Sequence, residues 1–200
     1  MKSIDILRLK IKRRFGKRAE MKIESAQVDG VIGLFFVLFL GLFLSCQLQL
    51  MQYRASSLYM EDALAASNLA SAIIDLQEYG ITNKVLIKEP ETAYEIYRKA
   101  LQKNLELDEE MVSDKIGLVD GTVIVESYIV YNVKEQQVFS FKVTDEGVLA
   151  QSGLLGEVKA PNGVVVENTG VYSEISYPVN QFLGKIIRAR KGKLVDVTTS

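Results

Sequence analysis

The side chains that could carry chemistry are few, and they are acids and bases rather than paired metal ligands. The chain has 200 residues with no His, no Trp and a single Cys, Cys46. Without His it lacks the commonest metal ligand and the commonest general base near neutral pH. Two acidic runs, Glu61-Asp62 and Asp108-Glu109-Glu110, are present. We expect the second to form a solvated turn after a helix rather than a metal site.

Motifs for phosphate binding or nucleophilic catalysis are also missing from the sequence. It contains no G-x-G-x-x-G, no G-x-x-x-x-G-K-[ST] and no G-x-S-x-G. The basic run RARKGK, residues 188–193, is expected to be a solvated turn before the last strand, with contact to a wall polymer or an acidic partner as the alternative. The sequence therefore predicts no enzymatic activity, no metal and no cofactor.

Basic and acidic side chains are unequally distributed along the chain. Residues 1–30 carry nine Lys and Arg against four Asp and Glu, whereas the rest of the chain carries 15 against 21. A positive arm joined to a negative body could indicate nucleic-acid binding. The segment between the two favours a membrane instead, so we expect a lipid bilayer and no nucleic acid as a partner.

That segment is an apolar stretch long enough to cross a bilayer. Residues 30–44 contain no polar side chain, and residues 30–51 contain few. As one helix, residues 30–51 would span about 33 Å at about 1.5 Å per residue, against a bilayer core of about 30 Å. The basic flank before it predicts a cytoplasmic N-terminus and an extracytoplasmic body. The expected divisions are a basic arm (1–29), a transmembrane helix (30–51) and an outer domain (52–200).

Two other fates of the apolar stretch remain open at this point. A secretory signal could be cleaved near Ala55-Ser56-Ser57, although these residues lie well beyond the apolar core. A lipoprotein signal could end at Cys46, although the residue two positions before it is Leu44 rather than a small residue. A permanent anchor accounts for the sequence more simply.

Past residue 51 the apolar positions recur every three or four residues, which is typical of an amphipathic helix. We expect one helix from about 30 to 79, stopped by Gly80, with an anchor and a separate helix joined near residues 52–57 as the alternative. Pro90 predicts the start of a second helix that runs to about Asn104. The outer domain should pack onto the long helix through four large residues, namely Leu58, Leu69, Ile73 and Leu76.

The remainder of the chain is rich in β-branched and aromatic residues. Residues 123–133 and 138–143, joined by a turn at 134–137, predict a β-hairpin. Further strands are expected at 164–167, 171–179 and 194–198. Helices followed by strands predict an α+β fold with an antiparallel sheet.

The sequence resembles one family, and the resemblance covers about residues 13–75. The basic arm, A-Q-V-D-G at 26–30, a Phe/Leu-rich span and an Ala/Ser-rich helix are similar to the TadE-like, pseudopilin-like proteins of bacterial tight-adherence pili, relatives of type IV pili and type II secretion. In that family a Glu commonly opens the apolar segment, and Asp29 would occupy that position. Glu24 stands where the prepilin-peptidase glycine belongs, which implies an uncleaved component retained in the membrane.

The resemblance implies a non-enzymatic structural or assembly component of a pilus or secretion apparatus. Its partners would be other pilin-like or secretion-system membrane proteins, or further copies of itself. The residues expected to serve anchoring and assembly are Asp29, Gly30, Val31, Leu34, Phe35, Leu38 and Leu42. Asp29 either marks the membrane edge or pairs with a cation of a neighbouring subunit. The alternative function is a single-pass binding protein or lipoprotein that recognises a wall polymer or small ligand.

Overall fold

The computed structural model of the protein describes residues 2–113, 121–180 and 186–197, with side chains from Asp29 onward except that of Asn180. The chain divides into two compact units, Met1–Leu50 and Met51–Ser200. The first unit consists of helix, and the second contains helices and a sheet. The expected α+β class, with a long apolar N-terminal helix and an antiparallel sheet, is confirmed.

The first helix, α1, spans Lys2–Ser71. The sequence prediction placed its end at about residue 79, and that prediction was wrong. After Ser71 the backbone becomes extended, Ile74 forms a β-bridge with Ile87, and the Asp75 amide donates to the Leu86 carbonyl at 2.8 Å. The chain leaves the helix because residues 86–87 offer these backbone groups a different partner.

A short second helix, α2, spans Leu76–Thr82. Asp75 is its N-cap, and its carboxylate accepts hydrogen bonds from the amides of Gln77 and Glu78 at 3.1 Å each. An acid at the N-cap followed three residues later by Glu, here Asp75 and Glu78, is a helix-start signature, and α2 was not predicted from it. Gly80 lies inside α2 rather than at a helix end, and Asn83 with φ of 56° ends it.

The third helix, α3, spans Pro90–Leu105 and confirms the prediction made from Pro90. Pro lies in its first turn, where the missing amide hydrogen has no partner to lose. Its buried face consists of Ala93, Tyr97, Leu101 and Leu105.

The strands form a small two-stranded sheet and a larger five-stranded one. Strands β1 (Val112–Ser113) and β2 (Gly121–Thr122) pair with each other. The larger sheet is antiparallel throughout, in the order β5-β4-β3-β6-β7. Its strands are β3 (Ile124–Lys134), β4 (Gln137–Thr144), β5 (Gly147–Leu154), β6 (Gly170–Asn180) and β7 (Ile186–Asp196).

The predicted hairpin is confirmed as β3 and β4, and the strand expected at 171–179 is confirmed as β6. Two other strand predictions need correction, and one strand was not predicted. Strand β5 was not predicted, residues 164–167 contribute a single β-bridge from Val165 to Lys159, and the last strand begins at Ile186 rather than 194. The basic run 188–193 is therefore part of a strand and not a turn.

The core of the second unit lies on both faces of the larger sheet. One face packs against α1 and α3 through residues that include Leu64, Tyr97 and Ile175. The other face carries Ile129, Tyr131 and Tyr172 and is covered by the segment 155–169. Strand β3 is buried on both faces from Tyr128 to Asn132, and β6 is buried over most of its length, including Ser173 and Ser176.

Candidate assembly helix

The apolar part of α1 has no protein partner in the described structure. Its predicted anchoring residues, Val31, Leu34, Phe35, Leu38 and Leu42, are all between 54% and 68% exposed. Large apolar side chains exposed on every side of a helix require another apolar environment. Within Asp29–Ser71 an 18-residue window has a mean hydropathy of 2.5 and is not buried. This helix is long and apolar enough to span a membrane, which supports a single-pass membrane protein.

The residues at the ends of this stretch are equally open. Asp29 is exposed and has no ion-pair or hydrogen-bond partner among the residues that the structure describes. A Cβ added to Gly30 would meet no atom within 4 Å, and Cys46 is an exposed free thiol. The predicted anchoring set thus forms one continuous, uncovered apolar surface, with a carboxylate at its N-terminal limit.

Beyond residue 51, α1 contributes side chains to the core of the folded domain. Met60, Ala63 and Leu64 are at most 5% exposed and belong to the main core cluster. The same face continues with the buried polar residues Ser67, Asn68 and Ser71. Their spacing of three and four residues places all of them on one side of the helix.

Most polar groups of this face are hydrogen bonded, although Asn68 Oδ1 has no partner among the described residues. The Asn68 amide nitrogen donates to the Lys193 carbonyl at 2.9 Å and to the Val171 carbonyl at 3.3 Å. The Tyr128 hydroxyl donates to Ser71 Oγ at 2.9 Å. These bonds connect α1 to three strands of the sheet, and small side chains let the helix approach the sheet closely.

The residues predicted to hold the domain to the helix do not do so. Leu58 is 62% exposed, Leu69 60%, Ile73 46% and Leu76 78%. Leu58 and Leu69 lie on the opposite face of α1 from Met60 and Leu64, and Ile73 and Leu76 lie beyond its end. The prediction was wrong because the larger aliphatic side chains point outward, while the buried face mixes Ser and Asn with Ala, Leu and Met.

A cluster of charges joins α1 to the edge strand β7. Glu61 contacts the ammonium groups of Lys191 at 2.8 Å and Lys193 at 2.7 Å, and Lys191 also lies 3.3 Å from Ser57 Oγ. Hydrogen bonds from the two lysines lower the pKa of Glu61 to about 2, and their positive charge adds to the effect. Lys191 and Lys193 lie on the same face of β7, because alternate residues of a strand share a face. Two of the four basic residues in the run 188–193 therefore contact Glu61.

Glu61→Gln should lower the free energy of unfolding at neutral pH by about 1 kcal/mol, because the pair lies partly exposed to solvent. The folded pKa is below the ordinary value of 4.5, so this contribution is present above about pH 4.5 and disappears as the pH falls toward 2. Urea unfolding at pH 7 and pH 3 measures it, with the exposed Glu157→Gln as control. A stability difference from wild type that is the same at both pH values would contradict the assignment.

Three tyrosines form the aromatic centre of the core. The Tyr97 and Tyr128 rings lie 4.9 Å apart, and Tyr94 lies 5.2 Å from Tyr128. Burial raises the pKa of the Tyr97 and Tyr128 hydroxyls, so both remain neutral in the physiological range. This arrangement stabilises the core and provides no group that exchanges protons near pH 7.

A shallow cleft lies between the segment 75–88 and the hairpin of β3 and β4. Its volume is about 330 Å³, and it is lined by groups that include Lys88, Lys134, Phe139 and Phe141. At its base the buried Asn132 side chain bonds both the amide and the carbonyl of Ile87, at 2.8 and 2.9 Å. The cleft is mixed in character, with two aromatic rings and charges of both signs.

The acidic run at 108–110 has a structural role. Asp108 Oδ1 accepts the amides of Glu110 at 2.9 Å and Val112 at 2.8 Å, which confirms the predicted turn. Within the described parts of the chain, no group of three or more acidic or thiol side chains is arranged to hold a metal ion.

Comparison of the chain with family models, curated proteins and solved structures finds no match.

Proposed function

We propose that this protein is a membrane-anchored structural or assembly component of a bacterial pilus or related secretion apparatus. The observation that carries the proposal is the division of one helix into two environments. Residues 31–44 expose apolar side chains all round, whereas Met60 and Leu64 in the same helix are fully buried in an α+β domain. Such a helix is suited to holding a folded domain at a membrane or in a helical assembly.

The proposed orientation places the N-terminus in the cytoplasm and the α+β domain outside. It is supported by the nine basic residues within positions 1–30, compared with the single Arg54 in the twenty residues after the apolar stretch. The basic arm would then face anionic lipid headgroups, at about 1 kcal/mol per side chain.

The proposal also assigns a role to Asp29 in assembly. An exposed carboxylate at the limit of the apolar surface costs about 2.5–3.5 kcal/mol if it enters the bilayer centre unpaired, so it would seek a cation of a neighbouring subunit. Asp29→Glu keeps the charge, whereas Asp29→Asn removes it and keeps a polar group of similar size.

The experiment is co-purification from membranes in mild detergent, with the variants at equal membrane levels. Wild-type protein and Asp29→Glu should recover pilus or secretion components, and Asp29→Asn should recover several-fold less. Absence of such components from the wild-type sample would refute the proposed function. Equal recovery with Asp29→Asn would remove Asp29 from the assembly site and leave it at the membrane edge.

A second candidate function is supported by the cleft beside Asn132. A volume of about 330 Å³ lined by Phe139, Phe141 and Lys88 could accept a small ligand or a polymer end with apolar and anionic parts. Under this alternative, Phe141→Ala would abolish ligand binding and leave partner recovery unchanged. Under the leading proposal, the wild-type protein recovers pilus or secretion components and binds no ligand in the cleft.

A further inference from the structure

Strand β5 forms one edge of the larger sheet, and it lacks the features that usually keep an edge from pairing with another chain. Edge strands are normally protected by charged residues, proline or bulges. Strand β5 contains no charged residue and no proline, and its pairing with β4 is regular over all eight residues. At the opposite edge, β7 carries four basic residues between positions 188 and 193. The two edges are therefore protected very differently.

The backbone groups that face outward on β5 are identified by the hydrogen bond that follows it. The Leu155 amide donates to the Gln136 carbonyl at 2.9 Å, which continues the pairing with β4. Alternate residues of an antiparallel edge strand direct their amide and carbonyl toward and away from the neighbouring strand. Val148, Ala150 and Ser152 therefore direct theirs away from β4. Within the described parts of the chain, nothing bonds these three amides and three carbonyls.

This row of backbone groups specifies the chemistry of an occupant more closely than an apolar face would. Amides and carbonyls that alternate at the spacing of a strand can all be satisfied only by another extended polypeptide segment. The Leu154 carbonyl already accepts the Glu157 amide at 3.1 Å, so the open edge consists of residues 147–153. Residues 150–152 are exposed, so a segment can reach this edge without displacing another part of the described structure.

Acidic side chains stand at both ends of the open edge. Asp145 and Glu146 form the turn before β5, Glu157 follows the strand, and all three are exposed without an ion pair to a described residue. Lys142, opposite Leu149 in the ladder, lies on β4, one strand farther from the edge. An occupant with basic residues at its ends matches this distribution. A second β5 does not, because antiparallel pairing would place the acidic start of each strand beside the Glu157 end of the other.

We propose that the open edge of β5 binds an extended segment of an assembly partner, uncharged over about six residues and basic at both ends. The segment adds a sixth strand to the larger sheet, and its backbone bonds the outward groups of Val148, Ala150 and Ser152. The source of the segment rests on the proposed function, which supplies partners beside this domain. Binding at the edge follows from the geometry and the charges of β5.

The first measurement is binding of fluorescent peptides to the full-length protein in a non-ionic detergent. The peptide KRVTVTVTKR has six uncharged residues between basic ends, and DEVTVTVTDE is its acidic counterpart. We expect saturable binding of the basic peptide, at least about fivefold tighter than that of the acidic one. Both peptides are compared on the wild-type protein, so the result does not depend on the folding of a variant. Equal affinities, or no binding of either peptide, would overturn the proposal.

Proline variants show at which edge the basic peptide binds. Ala150→Pro removes an outward amide and keeps every hydrogen bond to β4, whereas Ala150→Thr keeps the amide. We expect Ala150→Pro to weaken binding at least about fivefold and Ala150→Thr to leave it unchanged. The matched control is Arg190→Pro on β7, whose amide also faces outward because the Val197 amide continues the pairing with β6 by donating to Thr169. Equal effects of the two proline variants, or of the two variants at Ala150, would contradict binding at β5.

Recovery of partners distinguishes the edge contact from the proposed function. In co-purification from membranes, Ala150→Pro should recover at least about fivefold less of the assembly components than Ala150→Thr. Equal recovery would refute the edge contact and leave the proposed function standing. Absence of components from the wild-type sample would refute the proposed function and with it the source of the segment. With Cys46→Ser as background, efficient cross-linking of Gln151→Cys to itself by a short bis-maleimide would show a second copy at the edge and overturn the choice of occupant.

Discussion

Replacing Leu64 by Ala should lower the free energy of unfolding of the domain by about 2–5 kcal/mol. Leu64 is a residue of α1 and is fully buried in the core that α1 shares with the sheet. The substitution therefore removes apolar contacts and leaves a cavity. Leu69→Ala, on the same helix and with the same chemical change, should cost less than about 0.5 kcal/mol because that side chain is 60% exposed.

The measurement is urea unfolding of residues 51–200, the unit that contains the whole core, followed by far-ultraviolet circular dichroism. Met60→Ala should behave like Leu64→Ala, and Leu58→Ala like Leu69→Ala. Equal losses at Leu64 and Leu69 would show that both faces of α1 are packed, and the assignment of its buried face would be wrong.

The parts of the fold that local sequence patterns determine were predictable. Pro90 determines the start of α3 because its ring fits only the first turn of a helix, and α3 begins there. The alternation from Val138 to Val143 after a short turn predicted the hairpin, because side chains on a strand alternate between two faces. The apolar stretch was equally plain, because its length and composition are enough to identify it.

The parts that depend on tertiary partners were not predictable in this way. The buried face of α1 includes Asn68, whose side-chain nitrogen is acceptable there because the strand carbonyls of Lys193 and Val171 accept its hydrogens. The spacing of the larger apolar side chains, Leu58 and Leu69 among them, therefore predicted the wrong buried face for α1. The first part of strand β7 was missed for a similar reason, because the sequence alone does not show that Lys191 and Lys193 contact Glu61 of α1.

The second large effect concerns the apolar segment. Leu34→Arg together with Leu38→Arg should prevent it from spanning the membrane. Exchanging a Leu for an Arg near the centre of a membrane helix costs about 3–4 kcal/mol on insertion scales, so the pair costs about 6–8 kcal/mol. Leu76→Arg with Ile81→Arg is the matched control, since both side chains are highly exposed in α2 and outside the segment.

Labelling of a single cysteine at Lys103 tests most directly whether α1 crosses the membrane and presents the domain outside. Spheroplasts producing the Cys46→Ser, Lys103→Cys protein are treated with a membrane-impermeant maleimide before and after lysis. We predict full labelling before lysis for this protein and for the Leu76→Arg, Ile81→Arg control. The Leu34→Arg, Leu38→Arg variant should be labelled only after lysis. Labelling of the parent protein only after lysis, or of the double-arginine variant before it, would contradict the account.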